Sequence, residues 1–315
     1  MVTHQGTTSI EHTDKGRVLI TGGTGFIGRV LVSHLADAGY ECWVLSRQPG
    51  GGAGANSKAH YVNSLTALPN PLPKLVINLA GEGIADKRWS SRRKAELKDS
   101  RIGLTRTLVE YYGQQDQAPK RVISGSAVGF YGAHDDELLN EEGRSHPGFA
   151  YDLCKGWEEE ATRFVALGSV VCCLRIGVVL GADGGMVEKL KKPFSMGVGG
   201  QIGHGRQWMS WIHRQDLVRL ILFVLEHETL HGPINAVSPN AVTNAEFTRQ
   251  FAAQLRRPAL LPMPSMAVKL LFGQMGEELL LSGQRVVPEQ IVRSGFEFSY
   301  PDLESALKQC LQTGV

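Results

Sequence analysis

The chain has 315 residues, 42% of them hydrophobic and 20% charged, which is long enough to bury one large core or two joined ones. Its net charge is only +2 and it has no dense Lys/Arg tract, which argues against nucleic acid as a partner. No apolar run reaches the roughly 18 residues that a membrane-spanning helix needs, and the five cysteines (Cys42, Cys154, Cys172, Cys173, Cys310) form no C-x-x-C pair, which fits a reducing cytoplasm.

Residues 1–16 are polar, lack an apolar signal core and are expected to be a mobile tail. RVLIT (17–21) then reads as a buried strand, and GFIGRVLVSHLADAG (25–39) as a helix closed by Gly39. The turn between them carries Gly22, Thr24, Gly25, Phe26, Ile27 and Gly28. In such a turn Gly22 permits the tight bend, Gly25 lets backbone approach a pyrophosphate, and Gly28 lets the helix pack against the sheet. Phosphates then meet free N–H groups at the positive end of the helix. A tight turn with no ligand is the plainer alternative.

ECWVLS (41–46) reads as the second strand. An acidic residue at its end would bind the ribose 2′-hydroxyl of NAD. Ser46 and Arg47 stand there instead, and a forked guanidinium suits a 2′-phosphate. The expected cofactor is therefore NADP, with Arg29 placed to assist; the plainer reading of Arg47 is a solvated loop charge.

HYVN (60–63) reads as a short third strand and KLVINLA (74–80) as a fourth. A long polar helix is expected from Trp89 to about Gln115, then a strand in KRVISGSA (120–127), a helix over 150–167 and a strand within SVVCCLRIGVVLG (169–181), where Cys172 and Cys173 are buried fillers. Helical patterns follow near 214–228, 243–256, 265–282 and 302–312. Short apolar runs separated by helices imply an α/β fold: a Rossmann doubly wound parallel sheet with helices on both faces, plus a smaller C-terminal substrate lobe. The expected division is a tail at 1–16, an NADP-binding domain at 17–180 to which 205–236 returns, and a substrate lobe with C-terminal appendage at 181–204 and 237–315.

Chemistry is expected from three residues. Tyr151 and Lys155 in YDLCK lie four apart on one helix face, and Ser126 follows a strand. An ammonium next to a phenol favours its ionised form. Tyr151 then exchanges a proton with a substrate hydroxyl while hydride moves to or from a nicotinamide, and Ser126 bonds the same oxygen.

Other residues have two readings. Lys87 and Arg88 either contact an anionic substrate or solvate a helix start, Glu82 either faces the nicotinamide or is a solvated carboxylate, and Arg206 is a candidate for a substrate phosphate. Trp89, Trp208, Trp211 and His213 are read as packing residues, and Arg175 as half of a structural pair. AHDDELLNEE (133–142) is read as a flexible flap. No histidine stands in a metal-binding pattern, so no metal is expected.

From Arg17 onward the chain resembles the extended short-chain dehydrogenases/reductases. GGTGFIG is similar to their cofactor turn, NLAG (78–81) to the segment lining the cofactor, WIHRQDL (211–217) to a late structural motif, and the 25-residue spacing from Ser126 to Tyr151 to that of sugar-nucleotide epimerases. More closely, GEGIADKRWS, ISGSAVGFYG, LRIGVVLGADGG, GVGGQIGHGRQWMSWIH and the tail from PMPSMAVKLLFG resemble the NAD-dependent epimerase/dehydratase family, SDR39U1-like, with a DUF1731-type appendage. The resemblance implies that Asn78, Leu79, Ala80, Gly81 and Ser124, with Tyr151 and Lys155, contact the cofactor, and that Lys155 positions its ribose. It also implies a supporting asparagine in the long helix, where this chain has Arg101 and Gly103.

The function expected is that of a cytoplasmic NADP-dependent oxidoreductase or epimerase acting on a small molecule with a hydroxyl or carbonyl group, as monomer or homodimer. The alternative is an NADP-binding, redox-sensing protein with little turnover.

Overall fold

The structure is a computed structural model that describes residues 15–52 and 55–312. The expected tail therefore lies outside the described residues except for Lys15 and Gly16. Seven parallel strands form the central sheet: β1 (Arg17–Thr21), β2 (Glu41–Leu45), β3 (Ala59–Val62), β4 (Leu75–Asn78), β5 (Arg121–Ala127), β6 (Val170–Ile176) and β7 (Gly232–Ala236), in the order β7-β6-β5-β4-β1-β2-β3. The order reverses between β1 and β4, so a crevice opens at the carboxyl ends of these two strands, where ligands of doubly wound sheets bind.

The helices follow from the alternation of the strands. α1 (Gly28–Asp37) and α6 (Arg214–Glu226) cover one face. There Leu31, Leu35, Leu220, Ile221 and Val224 pack on Val18, Ile20, Val44, Ile77 and Ile123. α2 (Ser91–Lys98), α3 (Leu104–Gly113) and α4 (Phe149–Thr162) lie on the other side. Leu108, Val109, Tyr112 and Ala161 meet Leu19, Val76 and Val122 there. Successive residues of β1 thus enter opposite cores, which is why the strand is apolar throughout. Each fully buried Leu, Ile or Val contributes about 1.5–3 kcal/mol to this packing.

The long helix of the sequence is present as one helical run from Ser91 to Gly113, made of α2 and α3. A π-turn at Asp99–Gly103 separates α2 from α3 and widens the coil around Arg101. α5 (Gly185–Ser195), α7 (Asn244–Gln254) and α11 (Leu303–Gln312) build a second core around Phe194, Trp211, Phe247, Phe251 and Leu307. α8 (Ser265–Phe272) and α9 (Gln274–Leu279) pack against the start of α4, and the short α10 (Glu289–Arg293) follows them.

Candidate active site

The glycine turn has the tolerances that the sequence implied. Gly22 has φ +73°, and a Cβ there would stand 2.7 Å from the Leu79 carbonyl. A Cβ on Gly28 would meet the Gly22 carbonyl oxygen at 2.1 Å, so α1 is seated directly on the turn. At Gly25 an added Cβ would meet only the Gly22 oxygen, at 3.2 Å. No side chain caps α1, and its first turn holds no acid. Its amide end therefore faces the crevice with its positive dipole uncompensated by the chain. Phe26 is clasped from behind by Arg214, whose guanidinium lies 4.6 Å from the ring centroid and pairs with Asp183 at 2.6 Å.

β1 and β4 are tied together under the crevice. Thr21 Oγ1 donates to Asn78 Oδ1 at 2.6 Å, and Asn78 Nδ2 donates to Thr105 Oγ1 at 2.7 Å. Trp157 Nε1 on α4 donates to the same threonine at 3.1 Å. Asn78 thus fixes the strand ends from below, while the backbone of Leu79, Ala80 and Gly81 passes over the turn.

Past β2, Ser46 is buried and its Oγ accepts the Gln48 amide at 3.1 Å. Arg47 is exposed and reaches Glu82 Oε1 at 3.3 Å. Glu82 lies at the centre of a cation cluster. Arg93 stands 3.8 Å from its carboxylate, and Arg101 Nη2 donates to its carbonyl at 2.8 Å. Arg101 occupies the place of the asparagine implied by resemblance. Its guanidinium lies against Gly81, where a Cβ would meet Arg101 Cζ at 2.8 Å, and 5.4 Å from the Trp157 ring. Burial lowers its pKa from the usual arginine value. Arg29 is engaged by Asp183, its Nη2 pairing with the carboxylate at 2.7 Å and donating to the carbonyl at 3.0 Å.

Tyr151 is half-buried in the first turn of α4, edge-on to Phe130 with centroids 5.7 Å apart. Lys155, one turn on, stands 5.7 Å from the Tyr151 ring centroid and 3.8 Å from Glu159. Ser126 is buried, and its Oγ donates to Glu158 Oε1 at 2.6 Å. Glu158 also receives Arg175 Nε and Nη2, each at 3.0 Å. Arg175 stacks 3.5 Å from the Phe130 centroid and donates to Tyr131 Oη at 3.1 Å. Ser124 is fully buried and donates to the Gly125 carbonyl at 3.2 Å.

Sequence reasoning missed the Ser126–Glu158–Arg175 chain. A signal existed: Glu158 lies seven residues past Tyr151, on the helix face that already holds Tyr151 and Cys154.

Lys87 and Arg88 are exposed past β4, with Arg88 Nη2 3.2 Å from the site of a Cβ on Gly273. Arg206 is exposed, and its amide donates to His204 Nδ1 at 3.0 Å. Trp89, Trp211 and His213 are buried, whereas Trp208 is half-exposed beneath Arg285, whose guanidinium is 4.4 Å from its ring. Residues 133–142 are pinned rather than forming a flap. His134 is buried and stacks on His146 at 4.2 Å, Leu138–Leu139 pair with Arg285–Val286, and Asp136 accepts Trp208 Nε1 at 2.8 Å. Among the described residues no cluster of potential ligands is arranged to hold a metal ion, and no helix is long and apolar enough to cross a membrane.

Comparison with known proteins agrees with this architecture. The sequence model of the NAD dependent epimerase/dehydratase family matches residues 18–237, and that of a domain of unknown function, DUF1731, matches residues 263–310. The chain is 38% identical over 294 residues to an epimerase family protein of Mycobacterium bovis, covering 92% of this chain and 96% of that one. It is 36% identical over 299 residues to human epimerase family protein SDR39U1, covering 93% and 99%. The crystal structure of human SDR39U1 (isoform 2) with NADPH matches at TM-score 0.84 and 34% identity, over 94% of this chain and 99% of that one. A nucleoside-diphosphate sugar epimerase from Corynebacterium glutamicum matches at TM-score 0.75 and 32% identity, over 94% of this chain and 58% of that one. The chain belongs to the NAD dependent epimerase/dehydratase family and carries the DUF1731 domain as its C-terminal part.

Proposed function

We infer that the protein is an NADP-dependent oxidoreductase or epimerase that acts at a carbinol or ketone carbon of a small molecule. The first crossover carries this reading: an uncapped helix amide end, a turn closed by Gly22 and Gly28, and an open face at Gly25. These fit a pyrophosphate, which needs close backbone approach and free N–H donors. Gly22, Thr24, Gly25, Phe26, Ile27 and Gly28 would hold it, Ser46 and Arg47 the 2′-phosphate, and Leu79, Ala80 and Gly81 the middle of the nucleotide. The NADPH in the solved human relative supports NADP over NAD. When bound, the nicotinamide supplies or takes up hydride.

The chain's own residues handle the proton. Tyr151 exchanges it with the substrate oxygen, and Lys155, one helical turn away, would hold the ribose hydroxyls and keeps a positive charge near the phenol. Lys87 and Arg88, exposed past β4, would favour an anionic substrate. Epimerisation and reduction share this step.

A second reading is a cofactor-binding sensor with little turnover. Ser126 favours it, since its hydroxyl is engaged by Glu158. The test is calorimetric titration with NADPH and NADH, followed by a panel of carbonyl compounds and sugar nucleotides with wild type and Tyr151→Phe. The enzyme reading expects turnover that Tyr151→Phe abolishes with little loss of NADPH affinity. Binding without turnover across the panel would leave the sensor.

A further inference from the structure

α4 begins without a cap of its own. Its N-cap is Gly148, which has no side chain to offer the free amides of the first turn. The missing carboxylate arrives from the DUF1731 domain. Glu278 Oε1 accepts the Phe149 amide at 3.2 Å, and Oε2 accepts the Ala150 amide at 2.9 Å. A negative charge at a helix amide end is also favoured by the macrodipole.

Glu278 is itself held. Gln274 Nε2 donates to its Oε1 at 2.7 Å, and Gln274 Oε1 accepts Lys94 Nζ from α2 at 2.5 Å. Lys94 in turn lies 4.9 Å from the Phe149 ring centroid, closing a circuit through α2, α9 and α4. Beneath it Met275, Phe272 and Leu279 pack on Trp89, Phe149 and Leu153. The space at Gly148 matches this arrangement: a Cβ there would crowd Glu278 Oε2 at 3.1 Å.

Tyr151 is the third residue of α4, directly after the two amides that Glu278 receives. Lys155 stands a full turn further in, where the helix supplies its own hydrogen bonds. We propose that Glu278 is a positioning residue for Tyr151: the C-terminal domain fixes the first turn of α4 and thereby the place of the phenol. This rests on the reading of Tyr151 as the proton-exchanging group, and it gives the domain a task within the same site.

The test compares full-length wild type, Glu278→Ala, Glu278→Gln and, as a control within the same domain, Lys269→Ala. Amide hydrogen exchange is measured across residues 148–156, together with the NMR signals of the Tyr151 ring and NADPH affinity. In Glu278→Ala the Phe149 and Ala150 amides are expected to exchange about tenfold faster, the scale of a lost cap. Glu278→Gln keeps one acceptor oxygen and is expected to restore protection to one of the two amides. The Tyr151 ring signals move in Glu278→Ala and stay in Lys269→Ala, while NADPH affinity stays within about twofold in all four, because the phosphate turn is built on β1 and α1.

Unchanged exchange in Glu278→Ala, or faster exchange with unmoved Tyr151 signals, overturns the proposal. If Glu278→Ala does not fold, Glu278→Gln decides: loss of protection at one amide with a shift at Tyr151 supports positioning, and wild-type behaviour overturns it. Wild type that binds no NADPH defeats the functional reading instead, a result separable from the exchange data.

Discussion

Arg47, past the end of β2, and Glu82, past the end of β4, meet at 3.3 Å across the carboxyl end of β1. The Arg47 side chain is 93% exposed, so this ion pair is weak, worth about 0–1 kcal/mol, and easily exchanged for a stronger anion. A phosphate monoester carries more charge and more acceptor oxygens than a carboxylate. Arg47→Ala is therefore expected to lower NADPH affinity about tenfold while leaving NADH affinity unchanged. Glu82→Gln, which frees Arg47, is expected to raise NADPH affinity about two- to threefold. Calorimetric titration of both nucleotides checks both signs, and equal losses for NADPH and NADH in Arg47→Ala would remove the residue from 2′-phosphate recognition.

The glycine turn separates folding from binding. Gly28→Ala drives a methyl into the Gly22 carbonyl, whose oxygen lies 2.1 Å from the Cβ position, and is expected to cost about 1–3 kcal/mol in urea unfolding. Gly25→Ala meets only one atom, at 3.2 Å, and is expected to fold almost normally but to bind NADPH poorly, because the methyl fills the approach of the pyrophosphate. Normal NADPH binding in folded Gly25→Ala would count against a nucleotide in this turn.

Glu158 is the counter-charge of the buried Arg175, whose side chain is only 5% exposed. Removing one member of a buried pair leaves the other charge uncompensated, at a cost of about 3–5 kcal/mol. Glu158→Ala is expected to lose stability on that scale, whereas Ser126→Ala, which removes only one of the bonds to Glu158, costs about 1 kcal/mol. Denaturant midpoints of the two variants give the comparison, and equal losses would show that the ion pair is not the main support.

His213 sets a pH dependence. It is buried, its Nδ1 accepts the Gln215 amide at the start of α6, and its Nε2 meets Gln309 at 2.9 Å. Burial pushes its pKa below the ordinary imidazole value of 6.5, which favours the neutral ring in the folded protein. The unfolded chain then binds the proton first. Stability is complete above pH 6.5 and is lost as pH falls from there toward the folded value. In His213→Asn, which keeps an N-cap acceptor, the slope of unfolding free energy just below pH 6.5 is expected to flatten. An unchanged slope would assign it to other groups.

The sheet was legible because its strands obey simple patterns. RVLIT and KLVINLA are apolar on both faces, as buried parallel strands must be, and the glycines between β1 and α1 occur at the spacing that such a turn needs. The π-turn at Asp99–Gly103 was not legible, since helical periodicity runs through it. Residues 133–142 misled through composition. Their acids pointed to a flexible flap, but His134, Leu139 and Glu141 turn inward against segments more than 100 residues away in the chain, such as Gly283, Arg285–Val286 and Gln290. The same distance hid Glu278, whose partners lie 129 and 128 residues earlier. Local pattern shows what a segment prefers, but it does not show which remote carboxylate will satisfy it.

The cap on α4 also has a consequence in time. Phe149 and Ala150 leave the ribosome more than a hundred residues before Glu278 does, so on a nascent chain the first turn of this helix waits with its amides facing water. A product that lacks its last fifty residues lacks Glu278 as well, and the first turn of α4 is then left without that carboxylate. Translation therefore supplies the cap of this helix only after every strand of the central sheet has been made.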